Sequence, residues 1–363
     1  MAMGNGKKKP AYMAVYEKIK HDIIRGSYEY GAKLPSKRIA ADTFGVSIST
    51  IEHAYWMLLE EGYVQSREKS GYFCIYREED GFMPSDEEAA APLLQQRFEK
   101  PEGFPFSVYA KTMRRVLSER GEQILVKSPN SGCAELRQAI CKYLARSRGI
   151  DISAEQIVIG SGAEYLYGLI VQLLGRDRTF AIESPSYEKI EQVYRANGVS
   201  CRLLPLGKDG IESSALSSCI ADVLHITPFR SFPSGVTASA AKKREYLRWA
   251  EKNNAVIIED DFESEFTILS KPEDTVFSLD KNQRVIYVNT FSQTIAPAIR
   301  IGYMLLPERL VNDFEEKAGF YSCTVPTYEQ YVLAEFISSG NFEKHINRVR
   351  RKKRKLHFGE SEK

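Results

Sequence analysis

Four short stretches put binding or reactive side chains where apolar runs give way to turns. "IVIGSGAEYLYGLI" sets Ser161, Gly162 and Ala163 between a strand and a helix start. Backbone N–H groups there suit a phosphate, although an ordinary strand–helix turn is the plainer reading. "VIIEDDFESEF" ends a buried strand in Glu259, Asp260 and Asp261. A carboxylate at such a point can pair with a protonated ring nitrogen or a metal, or lie solvated in a loop. "ESPSYEKI" offers Tyr187, able to stack on a flat ring or to serve as a core or rim aromatic. Arg300, inside "AIRIGY", needs an anionic partner, a phosphate or a carboxylate. The same stretch, "VNTFSQTIAPAIRIGY", carries Gln293 at its tip. Gln293 is a neutral amide and can act neither as nucleophile nor as base.

These stretches need a scaffold that brings strand ends together. From about residue 101 the pattern is α/β. "EQIVIG", "TFAIES", "VLHIT", "AVIIED" and "RVIYVNT" read as strands. Between them, "GAEYLYGLIVQLLG", "SYEKIEQVYRANG" and "ASAAKKREYLRWAEKNN" read as helices. Strands alternating with helices predict a mostly parallel sheet with ligands at the strand C-termini.

Residues 11–76 form a different unit. Val15, Ile19, Ile23 and Ile24 fall at helical spacing, and Gly26 marks a stop. Ser36 can cap a short helix through Ala41, and after the tight turn "FGVS" Ser47 can cap a second. "YVQS" and "GYFCIY" around "REKSG" read as a hairpin. Two helices across a tight turn followed by a hairpin is a winged helix-turn-helix pattern, whose second helix enters the major groove. Ser47, Ser49, Thr50 and His53 would then reach base edges, with Ile48 between them. Lys37 and Arg38, and Arg67 and Lys69 on the wing, would reach phosphates, and Gly71 lets the wing turn. A winged helix serving protein contacts is the alternative. Residues 77–100, acidic and rich in Gly, Pro and Ala, read as a linker.

Bulk composition narrows the classes. A formal net charge of +2 means that nucleic-acid binding must come from local charge. The six cysteines are scattered, with no C-x-x-C pair, which argues against zinc and a disulfide framework and predicts a cytoplasmic protein. No apolar run approaches membrane-spanning length.

The stretch "LPSKRIAADTFGVSISTIEHAYWMLLEEGYVQSREKSGYF" resembles the GntR family of bacterial transcription regulators. It departs at Ile48, where the family often has Arg. The order "SGAEYLYGLI … ESPSY … TPFRSFPSG … IIEDDFESEF … TFSQTIAPAIRIGYMLLP" resembles fold-type I aminotransferases, which use pyridoxal phosphate. Together the halves look like a MocR-type regulator, a GntR winged helix fused to an α/β aminotransferase-like large domain over residues 101–363. The resemblance implies that Ser161, Gly162, Ala163 and Arg300, with Ser292, hold the cofactor phosphate. It implies that Tyr187 stacks on the ring and that Asp260, rather than Asp261, pairs with the ring nitrogen. Gln293 stands where the family has the Schiff-base lysine. Phe262 replaces a tyrosine that bonds the ring oxygen, and Arg230 a frequent histidine. The small C-terminal domain is expected to be truncated, because the chain stops about a hundred residues early on domain-size grounds. The basic run Arg348 to Lys355 reads as a charged helix face rather than a DNA contact. The expected protein is a homodimeric, DNA-binding regulator whose second domain senses pyridoxal phosphate, non-covalently if at all, or an amino-acid-like effector. The alternative is an aminotransferase with an appended DNA-binding domain.

Overall fold

A computed structural model describes residues 10–68, 70–77, 103–262, 264–267 and 274–359. Lys69 and nearly all of the expected linker, 77–100, lie outside them. The chain divides into two compact units, Met1–Phe98 and Glu99–Lys363.

In the first unit α1 (Ala11–Ile24) packs Val15, Tyr16, Ile19 and Ile23 against α3 (Ile48–Glu60). Ser36 caps α2 (Lys37–Phe44), which runs three residues past the expected Ala41 before Gly45 ends it at a φ of 64°. Ser47 caps α3 by accepting from the Thr50 N–H at 3.2 Å. Tyr55, fully buried, donates to the Pro35 carbonyl at 2.8 Å and so ties α3 to the segment before α2. The wing is β1 (Val64–Arg67) paired antiparallel with β2 (Gly71–Cys74), Arg67 opposite Gly71.

The second unit opens with α4 (Phe106–Arg120) and α5 (Ala134–Arg148). Then come β3 (Ile157–Gly160), α6 (Ala163–Leu174), β4 (Thr179–Ser184), α7 (Glu188–Ala196), β5 (Ser200–Gly207) and β6 (Gly210–Ile211). After α8 (Ser213–Ser218) follow β7 (Val223–Ile226), α9 (Ala240–Lys252), β8 (Val256–Asp260), α10 (Val276–Leu279) and β9 (Val285–Thr290). The chain continues through β10 (Gly302–Leu305), α11 (Val311–Lys317), α12 (Thr327–Ser338) and α13 (Asn341–Gly359). The strands form one sheet in the order β3-β10-β9-β8-β7-β4-β5-β6, with β9, β8, β7, β4 and β5 mutually parallel. Strand β10 runs antiparallel between β9 and β3. The central strands are buried along both faces, so their apolar runs are continuous rather than alternating. Three hydrophobic clusters cover the two faces. Among the described residues no helix is long and apolar enough to cross a membrane.

Candidate functional site

A cavity of about 430 Å³ lies at the C-terminal ends of β4, β7, β8 and β9. Ala163, Tyr187, Asp260, Ser292, Gln293 and Arg300 all line it, so residues spread over 138 positions of sequence converge as the strand-end argument requires. Ser161 and Gly162 form the turn that carries the chain from β3 into α6. Gly162 has a φ of 97°, and a Cβ there would come within 2.9 Å of Arg300 Nη2. Glycine is needed both for the turn and for the close approach of the guanidinium.

Several donors expected at the phosphate end already have partners. The Ser161 N–H donates to Thr324 Oγ1 at 3.1 Å, and the Gly162 N–H to the Gly160 carbonyl at 2.9 Å. Arg300 Nη2 donates to Glu164 Oε2 at 2.8 Å, and Ser292 Oγ to the Ile299 carbonyl at 2.9 Å. Arg300 thus takes the carboxylate partner of the two that the sequence left open.

Asp260, the last residue of β8, is 7% exposed and lines the cavity. Tyr167 donates to its Oδ2. His225 Nε2 lies 3.9 Å from the same oxygen and has no hydrogen-bond partner among the described residues. The other ring nitrogen of His225 meets Tyr194 Oη at 2.8 Å. Burial lowers the His225 pKa to about 3, so the ring is neutral. Burial raises the Asp260 carboxyl to about 7, while the Tyr167 bond pulls it down and Asp261 pushes it up. A cationic ring nitrogen brought to Asp260 would find a poorly solvated acid that gains by ionising beside it. Asp261 turns the other way: it accepts from Tyr287 Oη at 2.6 Å and faces Arg148 at 3.4 Å. The alternation of side chains at a strand end therefore puts Asp260, not Asp261, at the cavity.

Tyr187 is 43% exposed on the rim, with Phe232 edge-on at 6.4 Å and Lys189 Nζ 5.9 Å from its ring. Phe262 also lines the cavity. Arg230 is not among the lining residues; it sits at a φ of 49° and its N–H donates to Thr237 Oγ1. The lining also takes in Glu164, Tyr167, Ile190, Thr227, Phe232 and Thr290, with His225 buried behind Asp260, none of them singled out from sequence. Tyr167 had a usable signal, one helical turn past Ala163 on the same face. Phe232 had none.

On the first unit, α3 leaves Ile48, Ser49, His53 and Trp56 exposed on one side. The Ser47 hydroxyl lies 2.9 Å from that of Ser49 and 2.8 Å from that of Thr50. His53 stacks on Tyr12 at 4.1 Å. Lys37 pairs with Glu52 at 2.9 Å rather than standing clear for a phosphate, whereas Arg38 is exposed. On the wing Arg67 lies 4.3 Å from the Phe73 ring, and Gly71 turns at a φ of 109°. Exposed Trp56 and Ile39, at 53% and 59%, were not singled out from sequence.

Residues 98–358 match the family of aminotransferases of class I and II, and residues 11–74 match the bacterial regulatory proteins of the gntR family. The chain is 33% identical to YdeL, an uncharacterized HTH-type transcriptional regulator of Bacillus subtilis (strain 168), over 95% of this chain and 77% of that protein. It is 28% identical to the probable rhizopine catabolism regulatory protein MocR of Rhizobium meliloti, over 94% and 74%. To the HTH-type pyridoxine biosynthesis transcriptional regulator PdxR of Corynebacterium glutamicum it is 27% identical, over 92% and 74%. Among solved structures, Pyrococcus horikoshii kynurenine aminotransferase superposes with a TM-score of 0.64 at 26% identity, over 69% of this chain and 65% of that one. An archaeal alanine:glyoxylate aminotransferase gives 0.62 at 24%, over 68% and 63%. The chain thus spans less than two thirds of the length of these enzymes.

Proposed function

This chain belongs to the HTH-type transcriptional regulators that join a gntR-family unit to an aminotransferase class I and II domain, and from that membership we propose that it binds operator DNA through the first unit and senses a small ligand through the second without catalysing transamination. The observation that carries this reading is Gln293. The cavity keeps an acid at one end, an arginine-backed glycine turn at the other and an exposed ring at the rim, yet the side chain that lines it at position 293 is an amide.

Pyridoxal phosphate, the cofactor that the aminotransferase fold implies, fits this lining in part. When bound, it supplies an electrophilic aldehyde on an electron-withdrawing ring. Asp260, with neutral His225 behind it, would hold the proton on the ring nitrogen. Tyr187 would cover the ring face, and Arg300 with the first turn of α6 would hold the phosphate. Gln293 offers no amine for a covalent bond, and Phe262 offers the ring oxygen no hydroxyl. The residues therefore support non-covalent binding of pyridoxal phosphate or of an amino-acid-like effector.

The DNA reading rests on the capped, exposed start of α3 and on the cations around it. Ser49, Thr50 and His53 would face bases and Arg38 and Arg67 phosphates, while Lys37 is held by Glu52. Apolar side chains exposed on the larger unit, Leu125 at 81%, Phe106 at 71%, Phe320 at 69% and Val126 at 64%, support a homodimer. Two winged helices would then meet two half-sites, with ligand binding biasing their spacing. A cytoplasmic location follows from the same reading.

A gel shift of the full chain on the upstream region of its own gene, with and without pyridoxal phosphate, tests the proposal. Sequence-dependent binding that changes with the ligand is the expected result; folded protein that ignores DNA would count against it. Arg38→Ala should weaken binding on all sequences alike and reduce the slope of log K against log salt by about 1, the signature of one lost phosphate contact.

A further inference from the structure

The phosphate end of the cavity holds an anion of the protein's own. Glu164 is the second residue of α6, in the first turn, where a negative charge is stabilised by the helix dipole. Both of its oxygens are engaged by cations: Arg300 Nη2 donates to Oε2 at 2.8 Å and Lys189 Nζ to Oε1 at 3.0 Å. Glu164, Arg300 and Tyr187 line the same cavity, and Lys189 lies beside the Tyr187 ring. Two of the backbone donors at this turn are already used: the N–H groups of Ser161 and Gly162 donate to Thr324 Oγ1 and to the Gly160 carbonyl.

We propose that Glu164 is an internal competitor for the phosphate end of any ligand and sets the selectivity of the pocket against a phosphate dianion. The proposal rests on the ligand-sensing reading given above and adds to it which part of the ligand the pocket resists. A phosphate must either draw Arg300 and Lys189 away from Glu164 or share them with a like charge. Both routes carry a cost that an uncharged hydroxymethyl group in the same place does not meet. Glu164 also links the two ends of the rim, because the lysine that bonds it lies over the stacking ring. A phosphate that wins Arg300 therefore also frees Lys189 beside Tyr187.

The test is isothermal titration of the full chain and of Glu164→Gln with two probes, pyridoxal phosphate and unphosphorylated pyridoxal. Glutamine keeps the length of the side chain and removes its charge. The variant should bind pyridoxal phosphate ~10-fold more tightly than the parent protein does, about 1.4 kcal/mol, and bind pyridoxal within about 2-fold of the parent. Raising the salt concentration should narrow the difference between the two proteins, as screening does for exposed charges. Pyridoxal phosphate binding that is unchanged or weaker in Glu164→Gln would overturn the proposal and make Glu164 a residue that positions Arg300. An equal gain for both probes would overturn it too, since the effect would then not be on the phosphate. Absence of saturable binding of either probe to either protein would remove the sensor reading itself, and this proposal with it. Superimposable thermal melts of the two proteins establish that the comparison is between folded chains.

Discussion

Gln293→Lys should convert the pocket from one that forms no covalent adduct to one that takes about one pyridoxal phosphate per chain. The position is exposed at the tip of the turn after β9 and lines the cavity beside Ser292. An amine placed there is a nucleophile within the same walls that would hold the ring nitrogen and the phosphate. The measurement is absorbance during titration, then borohydride reduction and intact mass. The unsubstituted protein should show saturable binding that borohydride does not fix, and the variant a mass gain of one reduced cofactor. A reducible adduct on the unsubstituted protein would return the enzyme reading and point to another lysine, Lys189 being the one already at the rim. An unmodified Gln293→Lys protein would mean that the cavity is not built around this cofactor. Turnover is not expected of the variant, since Phe262 still leaves the ring oxygen without a donor.

Why so much of this site could be read from sequence, and some of it not, follows from the range of the interactions. Ser36 and Ser47 cap helices through bonds three residues away, and the wing closes across Gly71, so local chemistry decides them. The five called strands are runs of buried β-branched residues whose pattern survives without any knowledge of neighbours. Strand β5 was missed because it lies near the edge of the sheet and reads "SCRLLPLG", half exposed and broken by a proline. Strand β10 was missed because it follows an arginine within the same apolar run. The partners of charged groups were the least legible. Glu164 and Arg300 are 136 residues apart, and no spacing rule connects them. The place of Lys37 at the start of α2 suggests a phosphate contact, yet the helix after the turn supplies Glu52 as its partner. The basic run of α13 reads as a charged helix face, and that describes exposed Arg351, but Arg350 turns inward and its Nε donates to the Glu265 carbonyl.

The same strand end that offers Asp260 to the cavity depends on a buried ionic cluster behind it, and removing the cation of that cluster should be the most destabilising single change. The side chains of Arg148, Asp261 and Glu265 are each 3% exposed. Arg148 on α5 faces Asp261 at 3.4 Å and Glu265 at 3.9 Å and donates to Ser264. Tyr287 donates to Asp261 and Asn289 to Glu265, while Glu265 Oε2 has no hydrogen-bond partner among the described residues. Arg148→Met leaves two buried carboxyl groups without the cation that faces both, which costs about 3–5 kcal/mol. For a unit of this size that is a fall of ~10 °C in Tm at pH 8. The pH dependence has a definite sign. Burial, then Asp261, raises the Glu265 pKa from 4.5 to about 7, with Arg148 opposing. Between those values the folded chain keeps a proton that the unfolded chain has lost, so the stability contributed by this group falls as pH rises through the window. Without Arg148 that pKa moves higher still. The penalty of the substitution should therefore be largest above pH 7 and shrink as the solution is made acid, where Glu265 is neutral in the fold. Adding Glu265→Gln to Arg148→Met should recover part of the loss, because the pair is coupled. Thermal melts of the three proteins between pH 5 and about 8.5 decide the matter; a pH-independent loss, or none, would mean that the cluster is held by its hydrogen bonds rather than by charge. Since Asp261 is fixed by this cluster and Asp260 is its neighbour, Arg148→Met should also weaken ligand binding in the cavity without touching a single lining residue.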